Sequence, residues 1–222
     1  KILLIGLGKR EKLDFQRVQN YAGTAVKTLL GKTENLALVM PESNNLSQEE
    51  LVEALSIGVE YASFDITSQY QSQKPSPKLK NVQLLTEKAT REHSEGLRSG
   101  LVLAQSINLA RRLADMPPNE MTPTYFLNEV KKVAKENKLK VSVIDEKEAK
   151  QKGMGAFSAV AVGSDEPSYT ITLEYKGDAR SKEKWGLVGK GVTFDSGGLS
   201  TSANTPAIGD IMMPPVSVCQ YV

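Results

Sequence analysis

The sequence has few of the residues on which several common kinds of active site depend. Its 222 residues include one cysteine and one histidine. A single cysteine cannot build an internal disulfide framework or a thiolate metal site, so a reducing, cytoplasmic location is expected. Because His93 is the only imidazole, Ser-His-Asp and Cys-His mechanisms are nearly excluded, as are sites built on several histidines.

The chain also lacks long apolar runs and an imbalance of charge. No apolar run approaches the ~20 residues that span a bilayer, and the opening run Ile2 to Ile5 is too short for a signal-peptide core. Lysine and arginine number 28 against 26 aspartates and glutamates, spread along the chain. Neither a membrane nor a nucleic acid is therefore expected as a partner. An apolar content of 40% suffices for one large or two small domains.

Apolar runs alternate with amphipathic segments in the first half of the chain. Three runs have the character of strands, and the first two read as buried: 1–6, 35–40 and 81–85. Helices are predicted over about 13–30 and, from a capping box that begins at Ser47, to about 64. The polar, proline-bearing stretch 67–80 predicts an exposed loop.

The second half opens with a long predicted helix, 86–114, in which apolar residues recur at spacings of three or four. We interpret it as the connector between two domains, ended by the prolines after Met116. The predicted elements that follow are a helix from about 122 to 137, a strand at 140–144, a short helix at 146–152, strands at 156–162 and 169–174, and a strand ending at Leu187-Val188. This alternation predicts an α/β fold with a largely parallel sheet covered on both faces.

Three local features favour structural over chemical interpretations. The segment "GLGKR" after the first predicted strand lacks the full pattern of a phosphate-binding loop, so a plain strand-to-helix turn is favoured. His93 lies in the charged helical stretch "TREHSEG", where a solvated side chain is favoured over a ligand. Cys219 has no neighbour that would lower the pKa of its thiol, so an unreactive thiol is favoured.

The stretch "GKGVTFDSGGLS", which begins at Gly189, differs from these. The predicted strand before it would deliver Lys190 to the carboxyl end of a sheet, where open α/β folds place their sites. The glycines around it permit a close backbone approach. A carboxylate such as Asp195 suits a divalent cation, and a lysine amine beside a metal can serve as ligand or electrophile. The alternative is a glycine-rich turn that holds a solvated ion pair.

Several segments together identify a family. "VGKGVTFDSGG" resembles the signature of the leucyl aminopeptidases, the cytosol-type dinuclear metallopeptidases that remove N-terminal residues from peptides. Three other segments resemble that family in the same order, namely "LLIGLGKREKL", "NLARRLADMPPNEMTPTYF" and "KGMGAFSAVAVGSDEPSYTITLEYKG". The resemblance covers most of residues 1–200.

The resemblance implies a fold, a site and an assembly. It implies an α/β protein with a smaller macro-like N-terminal domain over 1–85, an interdomain helix over 86–114, and the first part of a larger catalytic domain over 115–222. Lys190 and Asp195 match family residues that contact a pair of divalent metal ions, zinc or manganese. The ions share a water that attacks the peptide bond. A cytoplasmic homo-hexamer acting on peptides is expected; no substrate-binding or further catalytic residue is assigned.

The sequence departs from the family pattern after Gly198. Ser200-Thr201-Ser202 stands where the family has a second lysine, and the spacing of Asp210 does not match the family's next metal-binding aspartate. Later metal-binding carboxylates of the family are also missing, so the chain as written is expected not to complete the site. It also begins abruptly on a predicted strand at Lys1. We therefore expect either a fragment or a sequence with segments left out after Ser200.

Two functions follow as hypotheses. The first is a metal-dependent aminopeptidase that carries this chain as its N-terminal domain and the start of its catalytic domain. The second is a catalytically incomplete or non-enzymatic binding or assembly module on the same scaffold. Metal content separates them, because two ligands alone should hold at most one ion weakly.

Overall fold

A parallel pair of strands packed on helices forms the first of two units. The computed structural model describes residues 2–65 and 79–194, and the chain divides into units Lys1–Arg112 and Leu113–Val222. The first unit contains a 3-10 helix (Arg10–Lys12), the helices α1 (Phe15–Leu29) and α2 (Gln48–Ser63), most of α3 (Arg91–Asp115), and the strands β1 (Asn35–Val39) and β2 (Asn81–Leu85).

The strands β1 and β2 pair in parallel, with Asn35 opposite Asn81 and Val39 opposite Leu85. The Asn81 side-chain amide donates to Asn35 Oδ1 at 2.8 Å, which fixes one end of the register. Alternate side chains of each strand point to the same face of the sheet. Those of one face pack against the core beneath α1 and α2: Leu36, Leu38, Val82 and Leu84.

Both helices on this sheet begin with a side-chain cap. Asp14 accepts a hydrogen bond from the Arg17 amide at 2.8 Å and starts α1. Ser47 and Glu50 form the predicted capping box of α2, with each side chain bonded to the other's backbone N–H. The two helices bury their apolar faces in one shared core. The shared core is Leu13, Val18, Ala22, Ala25, Leu38, Leu51, Ala54 and Leu55.

Helix α3 lies along α2 and runs in the same direction. His93 contacts Gln48 near the start of the two helices, and Asn108 contacts Glu60 near the end of α2. Between them, a Cβ atom added at Gly100 would lie only 2.8 Å from the Ser56 Cβ. The two backbones therefore approach so closely that a side chain at this glycine would not fit.

In its described residues, the second unit combines an antiparallel strand pair with three helices that follow α3. Its elements after α3 are α4 (Pro123–Glu136), β3 (Lys140–Ile144), α5 (Glu146–Gln151), α6 (Gly155–Ala161) and β4 (Thr170–Glu174). Lys140 pairs with Glu174 and Ile144 with Thr170 across the strands. Thr122 caps α4 by accepting from the Tyr125 amide at 3.2 Å. The side chains buried in this unit include Met116, Met121, Leu127, Ala134, Ala149 and Ile171.

The α/β class and most elements are confirmed. The described strands, however, form two separate two-stranded sheets rather than one largely parallel sheet, and one of the two pairs is antiparallel. The prediction of a buried strand over 1–6 is wrong for the described residues 2–6, which form no strand and leave Ile2 92% exposed. A strand is stabilised by hydrogen bonds to a neighbour, and no described strand pairs with this segment. Of the loop predicted over 67–80, only Leu79 and Lys80 lie among the described residues, and neither is in a helix or strand.

Two helices also differ from prediction. The segment 156–162, predicted as a strand, belongs mostly to α6, and Val160 and Val162 are 78% and 83% exposed. Its alanines favour helix, and its branched valines pair with no described strand. The long helix begins at Arg91 rather than near 86 because Thr90 caps it.

None of the helices within residues 2–65 and 79–194 is both long enough and apolar enough to cross a membrane.

Candidate metal centre

Lys190 lies in a segment without regular structure. Residues 186–194 form neither helix nor strand, and the apolar Leu187 and Val188 are 75% and 61% exposed. The prediction that a strand ending there delivers Lys190 to the carboxyl edge of a sheet is therefore wrong for the described residues. Strand formation here needs a partner, and no described strand pairs with 186–189.

The Lys190 side chain is exposed. It forms no hydrogen bond and no ion pair with a described residue. Its amine is accordingly accessible to a ligand from the solvent side. Asp195, the other predicted metal ligand, lies outside the described residues, so the predicted pairing of the two side chains stays a prediction.

The donor groups of the described residues do not by themselves fit a two-metal centre. Within 2–65 and 79–194, no three histidine, cysteine, aspartate or glutamate side chains are grouped so that they could hold a metal ion. A pair of divalent ions needs several oxygen or nitrogen ligands beyond water. Of the two predicted ligands, only Lys190 falls in this part of the chain.

The glycine segment at the start of the chain turns into a helix, as favoured by the sequence. Gly8 has a φ of 78°, which glycine adopts without strain. The chain then forms the 3-10 helix, and Asp14 places its carboxylate at the start of α1. A carboxylate therefore occupies the helix end that would bind a phosphate in a phosphate-binding loop.

His93 and Cys219 take no part in a metal site that the structure describes. Both ring nitrogens of His93 are hydrogen-bonded, Nδ1 with the Thr90 amide and Nε2 with Gln48. His93 is thus a capping residue. The sequence favoured a solvated side chain over a metal ligand, and the structure shows instead that both ring nitrogens are hydrogen-bonded within the protein. Cys219 lies outside the described residues.

Two polar residues of the segment "NLARRLADMPPNEMTPTYF" have a structural role that sequence reasoning missed. The Asn108 side-chain amide donates to the Glu60 carbonyl at 3.0 Å, and Arg111 Nη1 donates to the Tyr61 carbonyl at 2.9 Å. The Arg111 guanidinium also lies 4.0 Å from the Tyr61 ring centroid and 4.1 Å from that of Phe64. Together they satisfy carbonyls at the end of α2, which a helix leaves without internal donors.

One signal in the sequence could have pointed to this pair. Asn108 and Arg111 are three residues apart, so they share a face of α3, and that face also carries the apolar Ala104. Polar residues on a packed face indicate hydrogen bonds to a neighbouring element. Which element that is could not be read from the spacing, because the partners lie 48 and 50 residues earlier in the chain.

Comparison with protein families gives two matches in series. Residues 1–74 match the N-terminal domain of the cytosol aminopeptidase family, and residues 108–208 match the catalytic domain of the same family. The second range contains both Lys190 and Asp195.

Individual proteins agree with the family matches. The chain is 38% identical over 210 residues to a cytosol aminopeptidase of Pseudomonas aeruginosa, and 34% identical over 207 residues to a probable cytosol aminopeptidase of Nitrosococcus oceani. In both comparisons the alignment covers 90% of this chain and 41% of the relative. The chain therefore spans about two fifths of the length of these relatives.

Solved structures with the same fold include two enzymes. The bottromycin maturation enzyme BotP in complex with Mn superposes with a TM-score of 0.73 at 26% identity, covering 91% of this chain and 42% of BotP. A mutant of tomato leucine aminopeptidase superposes with a TM-score of 0.69 at 27% identity, covering 83% of this chain and 38% of the tomato enzyme.

Proposed function

Because this chain belongs to the cytosol aminopeptidase family, we propose that the protein carrying it removes N-terminal residues from peptides in a reaction that depends on divalent metal ions. The observation that carries the proposal is the pair of family matches, 1–74 and 108–208, which follow each other in the order of an N-terminal and a catalytic domain. The α/β architecture of both units agrees with it.

The metal part of the proposal rests on two lines of support. BotP, which shares the fold, is described in complex with Mn. Lys190 and Asp195 are proposed to bind a pair of zinc or manganese ions. The Lys190 amine is compatible with that role because it is exposed and forms no hydrogen bond or ion pair with a described residue. When bound, such ions supply a water activated for attack on the peptide carbonyl and a polarised carbonyl group.

The partners and the location are proposals of the same kind. Peptides with a free N-terminus are the proposed substrates, a homo-hexamer is the proposed assembly, and the cytoplasm is the proposed location. The relatives named cytosol aminopeptidase support the location. The nearly even numbers of basic and acidic residues give no reason to add a nucleic acid as a partner.

A pair of matched peptides tests the proposed activity. The whole protein that carries this chain is incubated with a short peptide and with the same peptide acetylated at its N-terminus, and released amino acids are quantified. We expect release from the free peptide only, because an aminopeptidase must recognise the free amine. Release should stop after chelation and return when manganese or zinc is added.

The alternative function predicts a different result. In this alternative the family scaffold serves as a binding or assembly module without its metals, and Ser200-Thr201-Ser202, which stand where the family has a second lysine, are compatible with it. A folded whole protein that holds no stoichiometric metal and releases no amino acid after incubation with manganese or zinc would support this alternative and contradict the aminopeptidase proposal.

A further inference from the structure

The first turn of α3 is closed by a histidine in the place where a capping box has glutamate or glutamine. Thr90 Oγ1 accepts from the His93 amide at 3.4 Å, and the Thr90 amide donates to His93 Nδ1 at 3.2 Å. The Thr90 carbonyl accepts from the Ser94 amide, as expected of an N-cap residue. The stretch Thr90-Arg91-Glu92-His93 therefore has the reciprocal geometry of a capping box with an imidazole as the acceptor.

This geometry selects one form of the imidazole. An Nδ1 atom that accepts from the Thr90 amide carries no proton, so in the neutral ring the proton is on Nε2. His93 Nε2 lies 3.1 Å from Gln48 Oε1, an acceptor for that proton. The neutral Nε2–H tautomer thus satisfies both ring nitrogens, one within α3 and one toward α2.

The contact with Gln48 joins the starts of two parallel helices. Gln48 is the first residue of α2, directly after the Ser47 cap. One turn further along α3, a Cβ atom added at Gly96 would collide with the Glu49 carbonyl oxygen, so the helix backbones touch there. The His93 ring lies one turn before this backbone contact, and its hydrogen bond with Gln48 joins the first turn of α3 to α2.

Protonation of the ring would leave one of these bonds without an acceptor. The imidazolium has two N–H donors, so Nδ1–H would face the Thr90 N–H. Two charged side chains of these first turns already have partners: Arg91 pairs with Glu95 at 2.8 Å, and Glu50 accepts from the Ser47 amide at 2.8 Å.

The remaining charged groups offer the cation no ion pair. Glu92 and Glu49 are the other carboxylates of these turns, and Glu87 and Lys88 precede the cap. Neither these groups nor any other described carboxylate forms an ion pair with His93. A positive charge at a helix N-terminus is also unfavourable, because that end of the helix dipole is positive.

We propose that His93 is a pH-sensitive cap that holds the first turn of α3 against α2 when the ring is neutral and releases it when the ring is protonated. The direction of the effect follows from the bonds. The cap is complete in the neutral form, so its contribution is present while the ring is neutral and is lost when the ring takes up a proton.

Nuclear magnetic resonance of the 222-residue chain tests the proposal, because His93 is its only histidine and a label on histidine gives a single ring. At pH 8 we expect Nδ1 to be the unprotonated nitrogen. As the pH is lowered to 5, the Thr90 amide proton should shift upfield with the same midpoint as the ring, since it loses its acceptor. A ring that carries its proton on Nδ1 at pH 8 would overturn the proposal.

The variant His93→Gln provides the matched control. Glutamine at this position of a capping box accepts from the N-cap amide and does not titrate. We expect the first turn to remain capped and the Thr90 amide shift to become independent of pH between 5 and 8. A pH-dependent Thr90 shift of the same size in His93→Gln would assign the effect to another group and contradict the proposal.

Discussion

Gly58 of α2 lies directly against the carbonyl group of Gln19 of α1, so the two helices meet backbone to backbone. A Cβ atom added at Gly58 would collide with the Gln19 carbonyl oxygen and would lie 2.9 Å from the Ala22 Cβ. Both neighbours belong to the backbone or to its first side-chain atom, so neither can rotate away. This contact brings the apolar faces of α1 and α2 together over the core that also receives Leu38 of β1.

We predict that Gly58→Ala destabilises the first unit by about 2 kcal/mol, because the helices must separate to admit the methyl group. The higher helix propensity of alanine offsets only about 1 kcal/mol of a larger packing cost. The measurement is urea-dependent hydrogen exchange of peptides from α1 and α2. Gly6→Ala is the control, since a Cβ there meets nothing within 4 Å, and its effect should stay within about 0.5 kcal/mol.

A second prediction concerns the Arg111 guanidinium, which lies against the rings of Tyr61 and Phe64 at the end of α2. Arg111→Lys should destabilise the same unit by about 1 to 2 kcal/mol, because lysine keeps the charge but lacks the planar group that stacks on Tyr61 and Phe64 and donates to two oxygens.

The matched control for Arg111 is Arg10→Lys. Arg10 forms an ion pair with Glu42 at 2.7 Å, and the two side chains are 55% and 80% exposed, so its replacement should cost less than about 1 kcal/mol. The same exchange measurement reports both variants. Equal effects of the two substitutions would show that stacking at Arg111 contributes nothing beyond charge.

A third prediction concerns acid stability. The Ser47 amide, followed by the Ser47 hydroxyl, lowers the pKa of the Glu50 carboxyl below its ordinary value. A carboxyl with a lowered folded-state pKa adds stability above the ordinary pKa and loses it as pH falls through the lowered pKa. Glu50→Gln keeps an acceptor for the Ser47 amide without titrating, so its stability should fall less between pH 7 and 3 than that of the unmodified chain.

Glu49→Gln controls for the general loss of a carboxylate in the same helical turn. The Glu49 side chain makes no hydrogen bond to a described residue. Urea midpoints at the two pH values, at constant ionic strength, provide the comparison. If Glu49→Gln and Glu50→Gln change the pH dependence equally, the Ser47 bonds do not account for it.

The helices α1 and α2 were predictable because their signals are local. Asp14 and Ser47 stand before apolar residues spaced at three and four, and both act as N-caps in the structure. The later start of α3 was missed because its cap uses His93 as a capping-box partner, which the usual Ser/Thr-x-x-Glu/Gln pattern does not include.

The strands were less predictable because a strand depends on neighbours that are distant in sequence. The runs at 35–39 and 81–85 pair with each other and form strands, whereas 2–6 and 186–189 are similarly apolar and pair with no described strand. For the same reason, the prediction that Lys190 follows the carboxyl end of a strand was wrong. The metal-binding role of Lys190 stays a prediction. It was inferred from the resemblance of "VGKGVTFDSGG" to a family signature, which does not depend on strand pairing.

The most direct test of the central claim compares the whole protein with its Asp195→Asn variant in metal-dependent release of an N-terminal residue. We expect release to fall by at least about 100-fold and bound metal to decrease, since even residues that only support metal ligands contribute about 10- to 100-fold. Asp178→Asn, which removes a surface carboxylate bonded to Arg180, should leave both quantities unchanged. Full release and unchanged metal content in Asp195→Asn would contradict the assignment of the metal centre to this segment.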